Sequence, residues 1–215
     1  MCATSLGPAR ATSIGPPSAT VLVLGHGAGG GTDSLDLRLV TRAVVDAGYR
    51  VVLIDQPWRV AGRRIAPRPA ALDVAWLEVV QRLKATRLVL GGRSAGARVA
   101  CRTAGALGAD GVVALAFPLH PPGRPQASRA SELSAVQAPV LVIQGERDPF
   151  GSPRDIAQAV PAARVVSVPG ADHSLRCSGG EEVTAVRLGL AADAVVGFLE
   201  IVSLQGGREL PGGRR

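Results

Sequence analysis

Aromatic side chains make up only 3% of the 215 residues, and Lys84 is the single lysine among 24 basic residues. So few rings leave few platforms for stacking bases. The formal charge of +7 therefore reads as an arginine-rich composition, in step with heavy Ala, Gly and Pro usage, rather than as a face selected for nucleic acid. Cysteine is scarce too. Cys2, Cys101 and Cys177 are odd in number and lack metal-ligand spacing, which argues against a disulfide framework or a zinc site and for a reducing compartment. No apolar run approaches the ~20 residues of a membrane helix. Residues 1–20 are interrupted by Pro8, Pro16 and Pro17 and have no continuous apolar core, unlike a secretion signal. The expectation is a cytoplasmic protein with no membrane partner, no metal and no cofactor.

With 47% apolar residues, the chain can bury a full core as one domain. Its centre is the stretch Leu88-Val89-Leu90-Gly91-Gly92-Arg93-Ser94-Ala95-Gly96-Ala97. A β-forming run ends in Gly-Arg-Ser-Ala-Gly and passes at once into an Ala-rich helix, the layout of a nucleophile elbow. Ser94 is the candidate nucleophile. Gly92 and Gly96 supply the small residues needed where strand and helix nearly collide. With 27 glycines in the chain the pattern can arise by accident, so its surroundings must carry the case.

Residues 1–19 read as an irregular leader, 20–204 as the folded domain and 205–215 as a disordered tail. Buried-type strands are expected at 21–24, 51–55, 88–92, 111–117, 139–144 and 164–168, with helices at 32–48, 69–84, after Ser94, from Ser152, and over about 181–202. Ser152, Pro153 and Asp155 have the logic of a capping box. The Arg-rich stretch 56–68, anchored by Trp58, reads as a solvated loop in preference to an anion-attracting rim. Residues 118–138 have room for at most one short helix, hence no large cap. Six strands alternating with helices predict a mostly parallel sheet with helices on both faces, whose ligands bind at the carboxyl ends of the strands.

The polar residues of interest all fall at those ends. A serine needs a base within hydrogen-bond reach and a carboxylate to orient the base. Asp148 and His173 follow the last two strands, giving the order Ser94, Asp148, His173, with Glu146 and Asp172 as alternative acids. Gly25-His26-Gly27-Ala28-Gly29-Gly30-Gly31 follows the first strand. Its spacing admits a dinucleotide fingerprint with Asp55 as the acidic residue. His26 and the late helix start favour an oxyanion loop instead, with the N–H groups of Ala28 and Ala95 as donors. Gly27, His26, Arg93 and His120 are candidate substrate contacts, although Arg93 reads first as a salt-bridging residue and the two histidines as loop-fixing groups. Cys101 reads as core.

In this order, His-Gly-Ala-Gly-Gly, Gly-Gly-Arg-Ser-Ala-Gly-Ala-Arg, Phe-Pro-Leu-His-Pro-Pro-Gly-Arg-Pro, Gln-Gly-Glu-Arg-Asp-Pro-Phe-Gly and Ala-Asp-His-Ser resemble the α/β-hydrolase family that includes testis-expressed protein 30, which is grouped with dienelactone hydrolases. The resemblance spans about residues 21–201. It implies an α/β-hydrolase fold without a large cap and a serine esterase or thioesterase acting on a small ester, with Ser94, Asp148 and His173 at the matching positions. Two departures stand out. The leader is too short and proline-rich to supply the fold's first antiparallel strands fully, and Ser94 replaces the cysteine of true dienelactone hydrolases, so lactone specificity does not carry over. Animal relatives include a scaffold subunit of a chromatin acetylation complex, so a non-catalytic binding protein is the alternative.

Overall fold

The computed structural model describes residues 1–205; the tail expected to be disordered lies, past Gln205, outside them. Seven strands form one sheet: β1 (Arg10–Ile14), β2 (Thr20–Gly25), β3 (Arg50–Asp55), β4 (Arg87–Arg93), β5 (Gly111–Leu115), β6 (Val140–Gly145) and β7 (Arg164–Val168). Their spatial order is β1-β3-β2-β4-β5-β6-β7. All neighbours are parallel except β1 against β3. Every residue of β2, β5 and β6 is buried, as expected of strands covered on both faces.

Successive residues of these strands serve two separate cores. Val21, Val23, Leu90, Val112 and Ala114 face α2 (Pro57–Val60), α3 (Pro69–Val80), α4 (Ala95–Leu107), α5 (Ala130–Ser134) and α6 (Pro153–Ala159). Leu22, Leu24, Val89, Val113 and Leu115 face α1 (Leu35–Asp46) and α7 (Gly180–Leu204). The chain leaves β2 toward β3 on one side and returns to β4 on the other, so strand order reverses between β2 and β4. A parallel sheet leaves its crevice at such a switch point. Gly25 pairs with Gly92 there, which brings the glycine-rich loop and the elbow side by side.

The leader departs from expectation. Cys2 bridges Ala9, and β1 then pairs antiparallel with β3 from Arg10 opposite Asp55 to Ile14 opposite Val51. Its sequence, Arg-Ala-Thr-Ser-Ile, is mostly polar and largely exposed, because an edge strand bonds on one side only and needs no apolar run. The seventh strand comes from this segment. A second difference is α2, a four-residue helix that opens on Pro57 inside the expected loop and seats Trp58 at 6% exposure. The arginines of that stretch, Arg59, Arg63, Arg64 and Arg68, are exposed. The capping box of α6 forms as expected: the Asp155 N–H donates to Ser152 Oγ at 3.2 Å and the Ser152 N–H to Asp155 Oδ2 at 2.8 Å. Between β5 and β6 the only helix among the described residues is α5, too short to be a cap.

Candidate active site

Strand β4 runs into helix α4 with one residue, Ser94, between them. Ser94 has φ 51° and ψ −107°, a strained conformation for a residue with a Cβ, which persists only where the surroundings impose it. They do so through its N–H, which donates to Leu115 O at 2.9 Å, and through two glycines. A Cβ on Gly92 would lie 2.5 Å from Gly25 O, and one on Gly96 would meet the same carbonyl. Neither position has room for a larger residue.

Ser94 Oγ lies 3.0 Å from His173 Nε2, and His173 Nδ1 lies 2.8 Å from Asp148 Oδ2. A carboxylate can only accept, so this pairing puts the imidazole proton on Nδ1 and leaves Nε2 free to accept from the serine hydroxyl. His173 is also packed by Phe150, ring centroids 4.1 Å apart. Asp148 is 5% exposed and fully engaged. Its Oδ1 accepts the Phe150 N–H at 2.8 Å, and its Oδ2 accepts Gln144 Nε2 at 2.8 Å. The two alternative acids serve their own loops: Asp172 Oδ1 accepts the N–H groups of Ser174 and Arg176, and Glu146 Oε2 that of Gly170.

Gln144 was not anticipated. It is the penultimate residue of the buried strand β6, is 0% exposed, and its Nε2 also donates to Gly151 O at 2.8 Å and Phe117 O at 3.2 Å. A lone amide in an otherwise apolar strand was the available signal, since a buried polar group must be holding something.

Arg93 proves to be a brace. Its Nε sits 3.1 Å from Oδ2 of Asp36, itself 2% exposed, and its Nη2 donates to His173 O at 3.2 Å. The guanidinium thus ties the first turn of α1 to the histidine loop. Gly27 lies over it: a Cβ there would stand 3.0 Å from Arg93 Nη1 and 3.5 Å from Ser94 Cβ. The glycine-rich loop therefore passes directly beside the serine, with Ala28 exposed next to it. Ala95 occupies the first position of α4, where the helix leaves N–H groups without an internal acceptor.

His26 does not face the serine. The ring is 4% exposed, its Nδ1 paired with Gly27 O at 2.8 Å and its Nε2 accepting the Gln56 N–H at 3.1 Å. Burial pushes its pKa below the ordinary value. It is a strut that sets the shape of the glycine-rich loop, the loop-fixing role expected of it first, and both ring nitrogens are taken by that role. His120 reaches the site indirectly: its N–H donates to Phe150 O at 3.0 Å, and its Nδ1 pairs with Pro121 O at 3.0 Å. Helix α1 begins at Leu35, well past Gly30, and Asp55 is held by the Thr32 N–H and hydroxyl, neither of which suits a dinucleotide fingerprint. Cys101 is 4% exposed, and burial drives its thiol up to about 12, in keeping with a core role.

A strained serine between strand and helix, paired with a histidine and a carboxylate at the carboxyl edge of a parallel sheet, defines the class of α/β hydrolases. A family model described as an alpha/beta hydrolase domain matches residues 18–200, and the chain belongs to that family. It is similar to Est1E from Butyrivibrio proteoclasticus, solved with ferulic acid bound, at TM-score 0.72 and 14% identity over 92% of this chain and 96% of that one. It is also similar to XC6422 from Xanthomonas campestris, described as an α/β serine hydrolase without a lid, at TM-score 0.67 and 20% identity over 99% and 94%. At these identities the likeness shows the fold. Rhodomycin D methylesterase DnrP from Streptomyces peucetius is 41% identical over 64 residues, 28% of this chain. The match spans 22% of that protein's length.

Proposed function

We propose that the protein is a serine esterase that cleaves a small carboxylic ester or thioester through an acyl-enzyme. The Ser94–His173–Asp148 relay carries this reading. His173 accepts the serine proton as Ser94 Oγ attacks the acyl carbon, then delivers it to the leaving group; Asp148 orients the ring and stabilises its protonated form. The N–H groups of Ala95 and Ala28 act as the oxyanion hole, each worth about 3 kcal/mol in the transition state. The Est1E and serine hydrolase neighbours are in keeping with such chemistry. Within the family, the segments Phe117–Pro125 and Asp148–Gly151 support a place in the group of testis-expressed protein 30. Three unpaired cysteines fit a cytoplasmic location, and no helix among the described residues is long and apolar enough to cross a membrane.

A fluorophosphonate probe tests the assignment. The expected outcome is a single adduct on Ser94 located by peptide mass spectrometry, absent in Ser94→Ala and strongly slowed in His173→Ala, with ester turnover reduced about 10⁴-fold or more in both. A folded wild-type protein that takes up no probe would leave the fold without the chemistry and favour a binding role.

A further inference from the structure

The leader does more than supply an edge strand. Residues 1–9 fold back on themselves, with Cys2 bridging Ala9, and are strapped to α3 and the turn after it. Glu78 accepts the Ser5 N–H and hydroxyl at 2.6 Å each, and Arg82 Nη1 donates to Ala3 O at 2.6 Å. Between this strap and helices α2 and α3 lies a cavity of about 350 Å³, at the lower end of the range that takes a small organic ligand.

Its walls are mostly apolar. Leu6 and Pro8 come from the strap, Pro57 and Trp58 from α2, and Ala71 and Ala75 from α3. No carboxylate lines it, and the one charged residue that does is Arg63. That residue is exposed, and its guanidinium makes no hydrogen bond or ion pair among the described residues. An apolar cavity with one uncommitted cation is complementary to an amphipathic anion, whose body is drawn in by the apolar area it removes from water and whose head is drawn by charge. A neutral apolar ligand would leave the guanidinium unused, an inorganic anion would leave the apolar walls wet, and a cation would be repelled. One guanidinium, planar and forked, suits a single carboxylate.

We propose that this cavity is a binding site for a small carboxylic acid with an apolar body, its carboxylate on Arg63 and its body against Leu6, Trp58 and Ala71. The site is separate from the relay, since neither Ser94 nor His173 lines it, and the inference does not rest on the esterase reading. It is joined to the glycine-rich loop all the same. Gln56, in its wall, donates its N–H to His26 Nε2 at 3.1 Å, and Trp58 packs on the same imidazole with ring centroids 5.4 Å apart. A ligand that binds only the ordered wall stabilises that wall, so the bond from Gln56 to His26 opens less often when the cavity is filled.

The test uses 4-phenylbutyrate and, as its uncharged counterpart, 4-phenylbutanol. Binding is followed by the fluorescence of Trp58 and Trp76, the two tryptophans of the chain, and by hydrogen exchange at saturating acid. The acid is expected to bind with a Kd of about 1 mM or tighter, the alcohol about threefold or more weakly, and Arg63→Gln to bring the acid down to the alcohol. Exchange at the Gln56 amide should slow. Ala71→Leu fills the cavity and should weaken the acid about tenfold or more; Ala61→Leu, on the same lining, stands in for it if circular dichroism shows Ala71→Leu to be unfolded. Absence of saturable binding, equal affinity for acid and alcohol, or an affinity that survives the folded cavity-filling variant would overturn the proposal. So would binding that leaves Gln56 exchange unchanged, because the acid would then sit elsewhere.

Discussion

The two flanks of Ser94 are built in opposite ways. Toward β6 and β7 the groups that hold the relay are coupled: His173 Nδ1 to Asp148, Asp148 to Gln144 and the Phe150 N–H, the His173 carbonyl to Arg93, with Gln144 Oε1 the buried atom left over. Toward β3 and α3, Gln56, Trp58 and Trp76 each hold a buried polar atom with no partner. Groups that must be in position before a reaction starts are best held by bonds already made. The difference teaches that the groups around Ser94, Asp148 and His173 are tied to one another in the folded chain, whereas the flank toward β3 and α3 keeps more buried polar atoms whose partners the fold does not supply.

The largest break in the finished flank comes from Arg93→Met. It strands Asp36, which is 2% exposed, and removing one partner of a buried pair costs about 3–5 kcal/mol. Urea denaturation should show that loss, and Asp36→Asn should relieve part of it in the double variant by removing the unpaired charge. A loss under 1 kcal/mol would mean that solvent reaches Asp36 and that the brace is dispensable. The next effect is Gln144→Met, which fills the same space but donates nothing to Asp148. A hydrogen bond to a charged group is worth about 1.5–3 kcal/mol, so ester turnover should fall by roughly 10- to 100-fold in kcat with little change in KM, because the substrate does not touch Gln144. A rise in KM with kcat retained would move Gln144 from the finished flank to the open one.

Much of this architecture could be read from the chain alone, for identifiable reasons. Strands β2 to β6 are short apolar runs largely buried on both faces, and β7, though an exposed edge, is rich in valine, so composition marks them directly. Ser94, Asp148 and His173 each follow such a run, and the parallel arrangement takes all three to one edge. What escaped was of another kind. Strand β1 is an edge strand with Arg10, Thr12 and Ser13 in it, and nothing local separates it from a loop. Helix α2 is too short to show a period. The Arg93–Asp36 and Gln56–His26 contacts link residues far apart in the chain, and their partners are chosen by packing that no spacing rule encodes. His26 marks the boundary, since its loop-fixing role could be read from the glycine-rich loop but the partners of its two ring nitrogens, Gly27 O and the Gln56 N–H, could not.

His26 also provides the smallest and most discriminating probe of the comparison, because it sits at the seam, bonding the glycine-rich loop through Gly27 and the open flank through Gln56. Its pKa is lowered in the folded state, chiefly by burial, so below the ordinary value of about 6.5 the unfolded chain binds a proton that the folded chain resists. Stability attributable to His26 is therefore whole above pH 6.5 and declines as pH falls from there through the lowered value. Chemical denaturation between pH 7.5 and pH 5 should reveal this slope, and His26→Asn, which cannot titrate, should reduce it. Protonation would force Nε2 to face the Gln56 N–H as a second donor, so the loop that carries Gly27 and Ala28 would loosen before the chain unfolds. Hydrogen exchange at Gln56 should accordingly quicken, relative to unstructured amides under the same conditions, as pH falls below 6.5. The amide of Ser94, anchored to Leu115 O on the finished flank, should keep its protection. Equal loosening of both amides would show that the two flanks open as one unit and that the division drawn between them is chemical but not mechanical.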